Sequence, residues 1–331
     1  MISNNKSLNV LFIGCVDFSQ AALNLLLNST NERINIVGIV SKSQSPMNAD
    51  HCNLLPYGVK HKIPTLDFYR EAEKLTDFIC SCGADVIYCF GWSHIIQEAL
   101  LALTPKGIIG FHPTKLPENR GRHPIIWALA LGLDETGSTF FKIDQGVDSG
   151  DIISQRIIPI AKEDNAKSLY RKITLAALQQ ITEFSLHLRD NSEVLIPQKE
   201  VDASKWRKRK AKDGLIDWRM EAKTIYNLIR ALDEPYIGAE FNYKNQTYKV
   251  WKASVFKKTV NKSIIPGSVL KISDNDILEL AISGGAEDCS SSGLHHEVIT
   301  TKDNFYKVKL EIEKKIKEFI STGIEWLPIN K

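Results

Sequence analysis

The sequence predicts an α/β protein: a mostly parallel sheet with helices on both faces, followed by a smaller barrel-like β domain. Three observations predict it. Short apolar runs begin at Leu8, Ile34, Ala84, Gly107 and Ser138 and alternate with helical patterns, the rhythm of buried strands joined by crossover helices. The chain has 331 residues, 43% of them apolar, enough for two or three domains with real cores. Beyond residue 213 the rhythm changes to short strands with polar connections, the texture of a small barrel.

Taken in order, Leu8 to Gly14 reads as a buried strand, Cys15 to Phe18 as a turn, Ser19 to Leu27 as a helix and Ile34 to Ser41 as a second strand. This opening looks like a nucleotide-binding unit but lacks Gly-x-Gly-x-x-Gly, which argues against a nicotinamide-dependent oxidoreductase. Ser41 to Tyr57 is polar and irregular, either a substrate-facing loop or a solvated connection. Phe68 to Cys82 predicts a helix, Ala84 to Phe90 a buried strand, and Gln97 to Ala102 a short helix that Thr104–Gly107 ends. Gly107 to Phe111 delivers His112 at its C-terminal end, and Pro113, Pro117 and Gly121 then force a loop. Pro124 opens a helix to about Leu133, since a first-turn proline loses no hydrogen bond. Ser138 to Ile143 alternates as a strand. The turn after it carries Asp144, Asp148 and Asp151. His112 and Asp148, 36 positions apart, therefore both sit on loops at strand ends, where α/β proteins place chemistry.

Ile152 to Ile160 predicts another strand, and Asn165 to Asp190 a long amphipathic helix closing a domain of residues 1–200. Residues 201–212, with the run SKWRKRKAK, read as a basic linker. The C-terminal domain is assigned to 213–331. It has a helix over Ala222–Leu232 with Ile225, Leu228, Ile229 and Leu232 on one face. Strands are expected at Ala239–Phe241, Thr247–Ala253 and Ser268–Ile272. The Gly/Ser-rich stretch after Gly284 reads as a mobile loop, and the last 30 residues as one strand and one helix.

Net charge is +3, so the overall balance forces no polyanionic partner. The six cysteines show no paired metal-ligand spacing. The adjacent His295 and His296 are a poor metal site, so no metal is expected. Cysteines within apolar runs predict reduced core thiols and a cytoplasmic home. No apolar run reaches ~20 residues, so no membrane span is expected, and the polar start, Met1 to Ser7, does not read as a secretory leader.

Gly107 to Asp151 also carries a family resemblance. Gly110-Phe111-His112, Thr114-Lys115-Leu116-Pro117, Arg120-Gly121-Arg122-His123-Pro124-Ile125-Ile126-Trp127 and Asp144-Gln145-Gly146-Val147-Asp148-Ser149-Gly150-Asp151 resemble the motifs of the folate-dependent formyltransferases. That family includes methionyl-tRNA formyltransferase, glycinamide ribonucleotide formyltransferase and the N-formyltransferases of nucleotide-linked amino sugars. The resemblance continues at residues 213 to about 253. It implies a formyltransferase-type fold and N10-formyltetrahydrofolate as co-substrate. One departure matters: the family's catalytic Asn falls on Gly110.

Formyl transfer to an amine needs a proton acceptor, an oxyanion donor and orientation. His112 fits the first role, with an ordinary imidazole titrating near pH ~6.5. Asp148 fits the third, because a nearby carboxylate fixes the imidazole tautomer and favours its charged form. Gly110 offers no side-chain donor, so a backbone N–H, Ser93, His94 or Asn119 is expected to substitute. The resemblance places Gly91, Trp92, His94 and Asp144 with the folate. Arg120 and Arg122, with Thr114 and Lys115, are expected at the other substrate, guanidiniums being suited to phosphate or carboxylate.

The acceptor expected is a nucleotide-linked amino sugar, for surface glycans such as O-antigen. A tRNA acceptor is less expected, because Ser41–Tyr57 lacks the basic insertion of the tRNA enzymes and phosphate-neutralising residues supply nucleic-acid affinity. Methionyl-tRNA formylation is the alternative within the class, favoured by the C-terminal domain and the basic run. A catalytically silent folate or sugar-nucleotide binder is the alternative outside it, motivated by Gly110. A homodimer is compatible with either reading.

Overall fold

The computed structural model describes residues 6–29, 33–46, 48–243, 246–255, 265–268, 274–291, 296–301 and 303–314. They fall into two compact units, Met1–Lys258 and Thr259–Lys331.

The first unit is built on β1 (Leu8–Ile13), β2 (Ile34–Ser41), β3 (Thr65–Asp67), β4 (Val86–Cys89), β5 (Ile108–His112), β7 (Glu135–Lys142) and β8 (Ile152–Pro159). They form one seven-stranded sheet in the order β3-β2-β1-β4-β5-β7-β8. The pairs among β3, β2, β1, β4 and β5 are parallel, while β7 is antiparallel to both β5 and β8. The mostly parallel sheet is therefore present, with an antiparallel edge that the apolar runs could not reveal. Strand direction is set by connections, and the short link from β7 to β8 makes a hairpin rather than a crossover.

Alternation along β1 explains the layering. Leu8, Val10 and Phe12 join a core with α1 (Asp17–Asn28) and α7 (Ala166–Asp190), through Ala22, Leu23, Leu26, Ile181, Phe184 and Leu188. Leu11 and Ile13 point the other way, toward Leu75 and Ile79 of α4 (Leu75–Cys82) and Leu100 of α5 (Glu98–Leu101). Of two short helices, α2 (Leu55–His61) packs Tyr57 against the first of these cores and α3 (Phe68–Glu71) packs Phe68 against the second. The helix expected over Phe68–Cys82 is interrupted by a 3-10 turn at Ala72–Lys74. Helix α7 matches its sequence signature closely. Asn165 caps it by accepting the Ser168 N–H at 2.9 Å, and the Ser168 hydroxyl accepts the Asn165 N–H in return, a reciprocal cap.

After α7 the chain returns to the sheet. Strand β9 (Lys205–Trp206) pairs in parallel with β6 (Arg120–Gly121). The Trp127 indole of α6 (Pro124–Ala130) donates to the Arg207 carbonyl at 3.0 Å, and two guanidiniums, Arg207 and Arg209, lie over its ring at 5.2 and 4.7 Å. The segment expected as a basic linker, 201–212, is thus built into the folded unit. So is the start of the expected C-terminal domain. Helix α8 (Ala222–Ala231) buries Leu228 and Ile229 with Ile125, Ile126 and Leu129 of α6, and Ala239 joins the same core. Strands β10 (Ala239–Tyr243) and β11 (Gln246–Val250) form an antiparallel pair.

The second unit holds α9 (Asp274–Gly284), an antiparallel pair β12 (Asp288–Ser291) and β13 (His296–Ile299), and α10 (Phe305–Glu313). Small antiparallel strands are present, as expected of this part of the chain. Among the described residues they form separate two-stranded sheets. The Gly/Ser-rich stretch expected as a mobile loop supplies β12, which pairs with β13. The strand expected at Ser268–Ile272 lies outside the described residues beyond Ser268, as do His295 and residues 315–331. Among the described residues no helix is long and apolar enough to cross a membrane.

One buried polar contact joins α7 to the sheet edge. Gln180 is fully buried; its carbonyl accepts the Ser138 hydroxyl at 2.6 Å, and its amide donates to the Ser138 carbonyl at 3.1 Å and the Ser154 hydroxyl at 2.9 Å. Replacing Gln180 by Ala opens a cavity and strands these groups together. The variant is expected to lose about 2–4 kcal/mol of stability in urea denaturation. A loss under about 0.5 kcal/mol, the usual range of a surface change, would mean that the contact carries none of the α7 docking.

Candidate functional site

His112 ends β5 and is 5% exposed. Its Nε2 lies 3.0 Å from the Asn119 carbonyl. A carbonyl only accepts, so Nε2 carries the proton and donates it. Nδ1 is left facing Asp148 Oδ2 at 3.7 Å. The two residues that the sequence singled out are therefore brought together. In the neutral ring Nδ1 has a lone pair; once it binds a proton, that proton points toward a carboxylate.

Asp148 is held from three sides. Its Oδ2 accepts the Gly121 N–H at 2.9 Å, and its backbone is left-handed, φ +53°. Asp tolerates that conformation better than most residues. The Gln198 amide donates to the Asp148 and Gly150 carbonyls at 2.9 and 2.7 Å and so locks the turn. Gly121 has φ +109°, and a Cβ there would lie 2.3 Å from the Trp206 carbonyl oxygen. Only glycine can both donate to Asp148 and pass this close to β9.

The substrate-side expectations divide. Arg120 is 2% exposed, and its fork is consumed inside the protein. Nε and one terminal nitrogen donate to Gln198 Oε1 at 3.2 and 3.0 Å, and the other pairs with Glu200 at 2.7 Å. The Arg120 guanidinium is thus engaged within the protein, by Gln198 and Glu200 that lie nearly 80 residues away in the sequence. Thr114 is likewise enclosed, its hydroxyl donating to the Glu118 carbonyl at 3.1 Å. Lys115 is half-exposed and sits between Glu135 at 3.1 Å and Glu118 at 3.9 Å. Arg122 is exposed and donates to the Ser93 carbonyl at 3.3 Å.

The residues expected at the folate, Gly91, Trp92 and His94, follow β4, the strand beside β5. Gly91 follows β4 with φ +67°. Trp92 meets Phe68 edge-on at 5.0 Å and His94 at 5.6 Å, and His94 also lies 5.2 Å from Phe68. Burial, then the charges of Lys42 and Arg122, pull the His94 imidazole below its ordinary value. Asp144 is exposed, and one of its oxygens already accepts the Gly146 N–H and the Ser149 hydroxyl at 2.9 and 2.8 Å. Two cavities of about 200 and 190 Å³ lie elsewhere, one beside Arg230 and Trp251, the other beside Phe184 and His187.

Some contributors were invisible in the sequence. Gln198 and the Asn119 carbonyl act through long-range or backbone contacts and leave no motif. Lys42 stands directly after β2, so the strand-end rule could have found it. The Ser41–Tyr57 loop is neither free nor simply solvated. The Asp17 N–H donates to the Asp50 carbonyl and the Cys52 N–H to the Cys15 carbonyl; Asn48 donates to Ser93, and the Tyr170 hydroxyl to Asp50. The loop is thereby strapped across the ends of β1 and β4.

The space beside Gly110 is already occupied. A Cβ there would stand 2.9 and 3.1 Å from Ile143 Cγ1 and Cδ1, and 3.1 Å from Phe141 Cζ. Gly110→Asn is therefore expected to overpack this corner and destabilise the protein by about 1–3 kcal/mol. Adding Ile143→Ala should recover stability relative to Gly110→Asn alone. Thermal unfolding of the two variants checks this; equal melting temperatures would show that Ile143 is not what fills the space.

A family model described as formyl transferase matches residues 8–183. A second, described as the formyl transferase C-terminal domain, matches residues 208–287. Among solved structures, the N-formyltransferase from Helicobacter canadensis, in complex with folinic acid and dTDP-3-aminofucose, is 16% identical. That likeness covers 88% of this chain and 96% of that one, with a TM-score of 0.59. WlaRD, a sugar 3N-formyl transferase crystallised with dTDP and 5-N-formyl-THF, is 18% identical over 78% of this chain and 89% of its own, TM-score 0.56. Methionyl-tRNA formyltransferase from Clostridium thermocellum is 18% identical over 76% and 95%, TM-score 0.58. At these identities the structures speak for the fold, and the first family model alone spans more than half of the chain. The chain is a member of the formyl transferase family, an enzyme of the folate-dependent type.

Proposed function

We propose that the protein is an N-formyltransferase that moves the formyl group of N10-formyltetrahydrofolate to the amine of a nucleotide-linked amino sugar, for surface glycan biosynthesis. The observation that carries the reaction is the His112–Asp148 pair, with Nε2 committed to a carbonyl and Nδ1 turned to the carboxylate. The co-substrate supplies an activated formyl carbon. The His94 ring and the face of Trp92 that Lys42 does not cover suit its pterin ring, and the backbone groups of Gly91 lie beside them. The free oxygen of Asp144 is available to a ring N–H.

The chain's own part is proton handling and orientation. The acceptor amine forms the new C–N bond as neutral nitrogen, so its proton must leave. His112 takes that proton on Nδ1, directly or through one water. Asp148 stabilises the imidazolium, and the Asn119 carbonyl keeps the ring from turning. His112 then returns the proton to the departing donor nitrogen as the old C–N bond breaks. Gly110 contributes no donor, and Ile143 and Phe141 make its corner apolar. The charged imidazolium and nearby backbone N–H groups take over oxyanion stabilisation, which is worth about 10²–10³ in rate per donor elsewhere.

The sugar reading is supported by the strapped loop 41–57, which carries Lys42 as its only Lys or Arg and so offers little charge to an RNA backbone. In the basic run, Arg207 makes a two-pronged pair with Asp213 at 2.7 Å and Arg209 is packed on Trp127, while Lys205, Lys208, Lys210 and Lys212 stay exposed. Transfer to methionyl-tRNA is the alternative, favoured by the likeness to the Clostridium thermocellum enzyme.

A competition reaction tests this directly. The protein, N10-formyltetrahydrofolate, UDP-, dTDP-, GDP- and CMP-linked amino sugars and charged methionyl-tRNA are mixed, and products are read by mass spectrometry. A formyl mass gain on a sugar nucleotide is expected; a gain on the tRNA alone overturns the acceptor. With the productive acceptor, Asp148→Asn should cut kcat at least a hundredfold while the fold survives, and His112→Ala at least as much. Unchanged turnover in Asp148→Asn removes the carboxylate from the mechanism. No turnover by any chain, with folate still bound, would identify a silent binder.

A further inference from the structure

The ammonium of Lys42 takes no part in the proton handling above. As a residue Lys42 is 5% exposed, so its stem is enclosed and its ammonium is partly withdrawn from water. Among the described residues its Nζ has neither a hydrogen-bond nor an ion-pair partner. It stands over the Trp92 ring, 4.8 Å from the centroid, which steadies the cation without neutralising it. The ionisable neighbour that acts on it is Cys15. Burial pushes that thiol up to about 11, so it is uncharged at neutral pH and supplies no counter-charge. Burial also pulls Lys42 below its ordinary value, with Cys15 opposing.

A second cation stands nearby. Both Lys42 and Arg122 depress His94. Arg122 is exposed, donates to the Ser93 carbonyl and has no ion-pair partner among the described residues. Two cations thus approach one aromatic corner, and neither has a carboxylate to match it. Such an arrangement is stabilised by an anion.

We infer that Lys42 and Arg122 form an anion subsite at the C-terminal ends of β2 and β4, and that it receives a phosphate of the acceptor substrate. The word acceptor rests on the function proposed above; the anion subsite does not. The sheet order places β1 and β4 between β2 and β5. Three strand spacings, ~14 Å, therefore separate the strand end at Lys42 from the one at His112. An acceptor whose phosphates are remote from its amine bridges that gap, and a nucleoside-diphosphate sugar has that form. A carboxylate of the donor's glutamate tail offers the same charge chemistry, and the test separates the two.

The test is calorimetric titration of the full chain with inorganic pyrophosphate, with dTDP and UDP, and with 5-formyltetrahydrofolate. Wild type, Lys42→Met and Lys42→Arg are compared, each checked for a cooperative melt. Lys42→Met should weaken pyrophosphate and the bound nucleotide at least tenfold and leave folate within twofold; Lys42→Arg should keep most of the affinity. Pyrophosphate should also raise the His94 titration midpoint, read by NMR, by compensating the two cations. Unchanged phosphate affinity in Lys42→Met overturns the inference, and so does a loss confined to folate, which would move the anion to the donor. If wild type binds pyrophosphate through Lys42 but no nucleotide, the anion subsite stands and the nucleotide-sugar reading falls. Should Lys42→Met fail to melt cooperatively, Lys42→Gln carries the same comparison.

Discussion

The site depends on one carboxylate oxygen. Asp148 Oδ2 accepts the Gly121 N–H and faces His112 Nδ1, so one atom fixes both the loop after His112 and the imidazole itself. Everything around it serves that placement. Gln198 locks the backbone of the Asp148 turn, and the close approach of Trp206 demands glycine at 121. The Asn119 carbonyl pins the far side of the ring. Such supporting contacts hold a reacting group in position before substrate arrives, which is where most of the benefit of orientation lies.

The parts legible in the sequence were those governed by local rules. The buried runs at Leu8, Ile34 and Ala84 became parallel strands because their composition suits a sheet covered on both faces. Asn165 and its Ser168 partner announced the start of α7. His112 and Asp148 were found because a strand end and an Asp-rich turn are local features. What stayed hidden was long-range. Arg120 reads as a loop arginine, and Gln198 and Glu200 close on it from the far side of α7. The basic run looked like free chain, yet Trp127 gathers its arginines. Nothing in either segment records the partner's position.

Gly110 illustrates a third kind of information. The sequence shows the loss of a donor there, but not its consequence. With Ile143 and Phe141 closing over the glycine, the corner is packed rather than vacant. Residues on β5, on β7 and just after β7 fill it together. This packing also leaves His112 as the polar side chain at that strand end, with a carboxylate set to hold its charge.

The pairing of β6 with β9 has a consequence for how this chain can be divided. The Arg120 N–H donates to the Ser204 carbonyl at 2.9 Å, the Asn119 N–H to the Ser204 hydroxyl at 2.8 Å, and the Arg209 N–H to His123 Nδ1 at 3.1 Å. The loop that carries the neighbours of the His112 imidazole is therefore stitched to chain made some 85 residues later. The first 200 residues by themselves lack these three contacts to the loop. During synthesis the reactive corner stays unfinished until residues 204–209 have emerged, and recombination that swaps the C-terminal half must bring a matching stitch with it.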